Sequence, residues 1–135
     1  MHIDGQCHCG HVRYEAEIDP DRVTICHCTD CQRLTGSPYR VTAIADSDKV
    51  RLTANPPKLY TKIGQSGRPR FLSFCPECGS PLFSTGEGKD AARTGIRFGS
   101  INQRRELTPT RQIWCRSALP WINELESVPG VEQDG

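Results

Sequence analysis

Short stretches of alternating apolar and polar residues punctuate the chain, and long apolar stretches are absent. Val12, Tyr14, Ala16 and Ile18 alternate with polar neighbours, the pattern of a strand with one buried face. Arg40 to Ala45, Val50 to Thr53, Leu59 to Ile63, Arg70 to Phe74, Leu82 to Thr85, Ile96 to Phe98 and Gln112 to Arg116 are further predicted strands. Turn-forming runs separate them: Asp19-Pro20-Asp21, Asn55-Pro56-Pro57, Gly64 through Pro69, and Gly86-Glu87-Gly88. The 12 glycines and 10 prolines suit many turns and disfavour long helices. Helical turns are predicted only after Cys31, over Gln32 to Leu34, and after Pro120, over Trp121 to Asn123. The pattern predicts a mainly β, single-domain fold over residues 1–127, with Val128 to Gly135 as a flexible tail.

No apolar run approaches the roughly 18 residues of a membrane span, and the first residues lack the basic and apolar regions of a signal peptide. The expectation is a soluble, cytoplasmic protein whose thiols stay reduced. The 17 Lys and Arg nearly balance 16 Asp and Glu, for a net charge of +1. That balance argues against a dedicated nucleic-acid binder, which needs a basic excess to meet phosphates. Apolar residues make up only 36% of the chain. Such a lean core calls for another source of stability.

The eight cysteines supply one. Seven of them form three local clusters: Cys7-His8-Cys9, Cys26-His27-Cys28-Thr29-Asp30-Cys31, and Cys75-Pro76-Glu77-Cys78-Gly79. The last has zinc-knuckle spacing: two intervening residues turn the chain so that both sulfurs converge, and Gly79 permits the backbone to aim N–H groups at sulfur. In an extended C-x-C segment, residues i and i+2 share a face, so the sulfurs converge while His8 and His27 point away. Counting suggests a pairing. Cys7, Cys9, Cys75 and Cys78 close one four-ligand structural site, leaving Cys26, Cys28 and Cys31 as three sulfurs with a fourth position open, the form of a catalytic zinc. The competing readings are a disulfide framework, an iron–sulfur cluster, and a fourth protein ligand that would make the three-cysteine site structural. Cys115 is expected to be a small buried hydrophobe.

Three thiolates around one zinc ion carry a net charge of −1. Such an electron-rich site suits an incoming thiol, which coordination deprotonates, and the thiolate could then attack a small aldehyde. A thiol bearing carboxylates would need cations nearby. Lys49, Arg51, Lys58, Lys62, Arg68 and Arg70 lie in an acid-free stretch, and Arg93, Arg97, Arg104 and Arg105 in another. Strand-edge solubility is the expected role of such residues, ahead of ligand binding. Arg33, next to the three-cysteine cluster, is the better candidate by position. Tyr14, Trp114 and Trp121 are expected to pack in the core.

Cys7-His8-Cys9-Gly10-His11-Val12-Arg13-Tyr14, Cys26-His27-Cys28-Thr29-Asp30-Cys31-Gln32 and Phe74-Cys75-Pro76-Glu77-Cys78-Gly79-Ser80-Pro81-Leu82 together resemble the glutathione-dependent formaldehyde-activating enzyme family, the CENP-V/GFA domain. Ile113-Trp114-Cys115-Arg116-Ser117 and Pro120-Trp121 resemble its C-terminal signature. The resemblance implies an Mss4-like β-sheet fold and two zinc ions per chain, structural on Cys7, Cys9, Cys75 and Cys78 and catalytic on Cys26, Cys28 and Cys31. It also implies addition of glutathione to formaldehyde, a carbon–sulfur lyase activity yielding S-hydroxymethylglutathione. The chain departs from the family pattern at Asn102-Gln103, where acidic residues are common, and at Gln112, where histidine is common. The alternative from another class is a non-enzymatic zinc module that contacts a protein or nucleic acid.

Overall fold

A computed structural model describes residues 1–135. The first two strands, β1 (His2–Gln6) and β2 (Arg13–Glu17), pair antiparallel, and β5 (Val50–Leu52) adds to β2 to make a three-stranded sheet. Alternation decides its inner face: Ile3, Gly5, Tyr14 and Ala16 are buried while their neighbours face outward. Gly5 lies opposite Tyr14, and a Cβ on it would fall within 2.3 Å of the tyrosine hydroxyl. Tyr14 fills that space, bonding Ser100 Oγ at 2.7 Å and meeting Phe83 edge-on.

The larger sheet has seven strands. They are β3 (Val23–Cys26), β4 (Arg40–Asp46), β6 (Lys58–Ile63), β7 (Pro69–Phe74), β8 (Pro81–Thr85), β9 (Arg93–Arg97) and β10 (Arg111–Ile113), in spatial order β10-β3-β4-β9-β8-β7-β6. Every pairing is antiparallel except that of β10 with β3. One face carries Val23, Val41, Ala43, Ala45, Phe83 and Ile96, which pack with Ile3, Tyr14 and Ala16 in a single core. The chain is therefore mainly β, as its alternation predicts.

The only α-helix, α1 (Thr29–Thr35), is one turn longer at its start than the predicted helical turn. Gly36 ends it in the left-handed conformation, φ 65°, with its N–H bonded to Gln32 O. Trp121 to Asn123 form a hydrogen-bonded turn and not a helix. The strand predicted over Gln112 to Arg116 stops at Ile113 because Trp114 takes φ +56°, which a strand cannot accommodate. Phe98 likewise begins a 3-10 turn and does not extend β9. Residues 128–135 are exposed and contain no strand or helix. No helix is long and apolar enough to cross a membrane.

Candidate functional site

The structure brings the seven clustered cysteines together in the two groups that counting suggests. The sulfurs of Cys7, Cys9, Cys75 and Cys78 all lie within 4.8 Å of one another, as do those of Cys26, Cys28 and Cys31. In the first group, Cys9 Sγ is 3.7 Å from Cys7 Sγ and 3.8 Å from Cys75 Sγ. A tetrahedral ion with zinc–sulfur bonds of about 2.3 Å requires sulfur–sulfur edges of about 3.8 Å, so the donor set and its spacing fit zinc. Backbone N–H groups already point at the sulfurs. Val12 N–H donates to Cys7 Sγ at 3.3 Å, and Glu77 N–H donates to Cys75 Sγ at 3.3 Å. Gly79, at φ +79°, lets its N–H close the knuckle onto Cys75 O. The Cys7–Cys9 pair converges differently from the extended C-x-C expectation. Gly10, φ +79°, reverses the chain into a tight turn, which leaves His8 exposed.

The three-cysteine group is built at a strand-to-helix junction. Cys26 ends β3, Cys28 caps α1, and Cys31 sits in its first turn. Cys28 Sγ accepts the Cys31 N–H at 3.3 Å, so a candidate ligand is also the helix cap. Gln32 ties the helix to the C-terminal segment, donating to His27 O at 2.8 Å and Ser117 O at 3.0 Å. His27 turns away as expected and is 2% exposed. Its Nε2–H donates to Gln112 Oε1 at 2.7 Å. The Cys26 and Cys31 thiols differ in acidity. Cys31 is held below the ordinary thiol range, chiefly by hydrogen bonding from Cys26 and further by Cys28, Arg40 and Arg97. Cys26 is pushed up by that same hydrogen bond and by burial. In the four-cysteine group, the hydrogen bond from Ser80 chiefly draws Cys78 down.

All three of these sulfurs line a cleft of about 630 Å³. Strand alternation explains its walls. Cys26 and Thr24 face the same way on β3, and register places Arg40 and Thr42 beside them on β4, then Arg97 and Gly95 on β9. Ser84, Leu72, Arg70 and Lys62 continue that face through β8, β7 and β6. The cleft is thus the face of the large sheet opposite the core. Gly95 forms its floor, where a Cβ would approach Thr42 Cγ2 to 2.7 Å. Lys62 also pairs with Asp30 of α1 at 2.8 Å, joining the far strand to the cysteine helix. Burial, and then the neighbouring Arg40, bring the Arg97 guanidinium down to about 9.

Residues 2–117 match the family model of the glutathione-dependent formaldehyde-activating enzyme. The chain belongs to this family. In fold, it is similar to a crystal structure of a Rhodobacter sphaeroides protein, with a TM-score of 0.62 at 20% identity over 81% of this chain and 98% of that one.

Several positions in this family member fall elsewhere than sequence reasoning placed them. Arg33 is exposed on the outer side of α1 and does not line the cleft. Arg70, Arg93 and Arg97 lie on interior strands and Lys62 on the edge strand β6, and all four face the cleft because each has the side-chain parity of Cys26. Arg40, the most enclosed cation of that face, was missed; its register opposite Cys26 follows from strand pairing, which no local pattern reveals. Cys115 is exposed, contrary to the buried expectation. The left-handed Trp114 turns it outward, and Trp114 itself, 38% exposed, lines the cleft under the Arg116 guanidinium 5.0 Å from its ring. Trp121 is exposed as well, whereas Tyr14 is in the core as expected. The two departures from the family pattern are both satisfied by hydrogen bonds. Gln112 holds His27, and Asn102 and Gln103 hold the Asp4 carboxylate of β1 at 3.1 and 2.7 Å.

Proposed function

We propose that this chain is a zinc-dependent enzyme that adds glutathione to formaldehyde, with Cys26, Cys28 and Cys31 holding the catalytic ion. A second, structural zinc on Cys7, Cys9, Cys75 and Cys78 would make two ions per chain. The observation that carries the reading is the contrast in access: the three sulfurs open into a cleft, while two of the four are enclosed in the core. Family membership supports glutathione and formaldehyde as the substrates. A zinc ion bound there supplies acidity to a thiol that joins it, making the thiolate available near neutral pH.

The chain's own residues do the remaining work. Cys26, Cys28 and Cys31 would hold the ion at the wall of the cleft, where an incoming sulfur has access. The Cys31 N–H, donated to Cys28 Sγ, offsets thiolate charge, and α1 fixes two of the three sulfurs in one rigid turn. Trp114 and Leu34 provide apolar wall at the cleft, and Arg40, Arg70 and Arg97 provide positive charge. The sulfur then forms a bond to the carbonyl carbon, and the aldehyde oxygen takes a proton to give S-hydroxymethylglutathione. This is carbon–sulfur lyase chemistry in reverse.

The test combines native mass spectrometry with exchange NMR on ¹³C-formaldehyde and glutathione. The expected result is two zinc ions per chain and exchange between hydrated formaldehyde and the thiohemiacetal that speeds up in proportion to protein. Two zinc ions with exchange no faster than in buffer would overturn the enzyme reading and leave a zinc-binding module.

A further inference from the structure

The cleft is far more basic than the chain that forms it. Over the whole protein, basic and acidic residues nearly cancel, yet eight basic and only two acidic side chains line this cleft. Two of the cations are not solvated surface groups. Arg40 is 6% exposed, its Nε is buried without a hydrogen-bond partner, and no carboxylate pairs with its guanidinium. Arg97 lies beside it, also with a buried, unpartnered Nε and no carboxylate partner. Its one side-chain bond is from Nη1 to Thr42 Oγ1 at 2.9 Å. Buried charges require partners, and two adjacent guanidiniums repel each other. The cysteines that line the cleft are the groups able to supply negative charge beside them. A dication held by three of them carries a single net negative charge, which balances one guanidinium and leaves the other without a counter-charge.

We propose that Arg40 and Arg97 form an anion subsite that binds a carboxylate of the thiol substrate, and so select thiols that carry one. The proposal rests on the thiol reading of the three-cysteine site and identifies the part of the cleft that recognises the rest of the molecule. Guanidinium groups suit the task because they present planar, paired donors to a carboxylate. Register sets the distance of this subsite from the sulfurs: Arg40 is directly opposite Cys26 on neighbouring strands, and Arg97 is opposite Thr42, two residues along the same strand. Arg70, one strand beyond β8, donates to Ser84 Oγ at 3.0 Å and extends the basic surface away from the cysteines. A phosphate on a different thiol would present the same chemistry.

The experiment measures binding of thioethers to the zinc-loaded protein by calorimetry and by fluorescence of Trp114, which lines the cleft. S-methylglutathione, its diethyl ester and S-methyl-coenzyme A are the probes; their blocked sulfurs remove turnover from the readout. S-methylglutathione is expected to bind at least tenfold tighter than its ester. Arg97→Gln should remove that preference while leaving the ester's affinity unchanged, and Arg97→Lys should restore part of it. Zinc content and melting temperature of each variant are checked alongside. If Arg97→Gln does not fold, the acid–ester comparison on the unmodified protein decides the matter. Equal affinity for acid and ester, or an acid preference that survives Arg97→Gln, would overturn the subsite and leave the thiol reading standing. Binding of S-methyl-coenzyme A but not S-methylglutathione, weakened tenfold by Arg97→Gln, would keep the anion subsite but overturn its assignment to a carboxylate, and with it the choice of glutathione. Failure of all three probes to bind would overturn the subsite.

Discussion

The two cysteine groups use the same ligand chemistry and stand in opposite relations to the fold. In the four-cysteine group, Cys7 and Cys75 are 1% and 0% exposed and belong to the hydrophobic core. Its sulfurs come from segments 66 residues apart, at Cys9 and Cys75. The three-cysteine group draws on one run of six residues, Cys26 to Cys31, and all three are only half-buried. An ion shared between distant segments closes a long loop and so contributes to folding. An ion held within one local junction would close almost nothing. On the proposed reading, the first group serves stability and the second serves access.

Breaking the four-cysteine group is expected to have the largest effect. Cys75→Ser removes a ligand and places a hydroxyl in the core. Structural zinc contributes on the order of 10 kcal/mol to small folds, so the variant should lose its cooperative melting transition in circular dichroism. A variant that melts within a few degrees of the unmodified protein would show that this group is dispensable.

Cys28→Ser is expected to act on function alone. Serine is a good helix cap, so α1 should survive with its Cys31 N–H still bonded. The variant should keep its melting transition, carry one zinc ion in place of two, and accelerate formaldehyde exchange no more than buffer does. Global unfolding would instead mean that the two groups are alike.

Gly95→Val sharpens the contrast from the cleft side. The added side chain meets Thr42 on the cleft floor and leaves both cysteine groups untouched. The strand gains a β-branched residue, but crowding against Thr42 costs about 1–3 kcal/mol. Glutathione affinity should fall severalfold in calorimetry, with zinc stoichiometry unchanged at two.

The smallest effect is expected at the Lys62–Asp30 pair, which links β6 to the cysteine helix. Lys62 holds the Asp30 carboxyl below the usual carboxylate range by a hydrogen bond and by its charge. A depressed carboxylate pKa contributes stability that is present above the unfolded value and lost as pH falls through the folded one. The Asp30 carboxylate is exposed, so solvent screening limits the pair to about 0.5 kcal/mol. Acid titration of melting temperature should therefore show a slightly shallower decline below about pH 4 in Lys62→Ala than in the unmodified protein. A decline of identical shape would mean that the pair contributes nothing.

Local pattern revealed most strands because each buries one face, as Tyr14 and Ala16 do on β2. It missed β1, where Ile3 is the only large apolar residue and Gly5 is inward because Tyr14 needs the room. It also missed β3, where Val23 to Cys26 read only as the approach to a cysteine cluster. The local cysteine clusters were legible because C-x-C and C-x-x-C spacings converge sulfurs through a few residues of backbone, whereas the meeting of Cys7 and Cys9 with Cys75 and Cys78 needs distant chain and was suggested by counting alone. Trp114 was not legible: nothing in Ile113-Trp114-Cys115 announces a left-handed residue, and its conformation turned Cys115 from an expected core position to the surface.

The sequence by itself determined the alternation that makes the sheets, the cysteine clusters and the count that divides them four and three. The alternation and the clusters depend on interactions within a few residues, where spacing dictates geometry, and the division follows from counting ligands. Only the tertiary structure decided which cations surround the three-cysteine group. Arg40, Arg97, Arg70 and Lys62 are far apart in the chain, and the order β3-β4-β9-β8-β7-β6 makes them neighbours on one face. Side-chain parity selects the face within each strand, but strand order is set by long-range pairing and core packing, which local pattern does not encode.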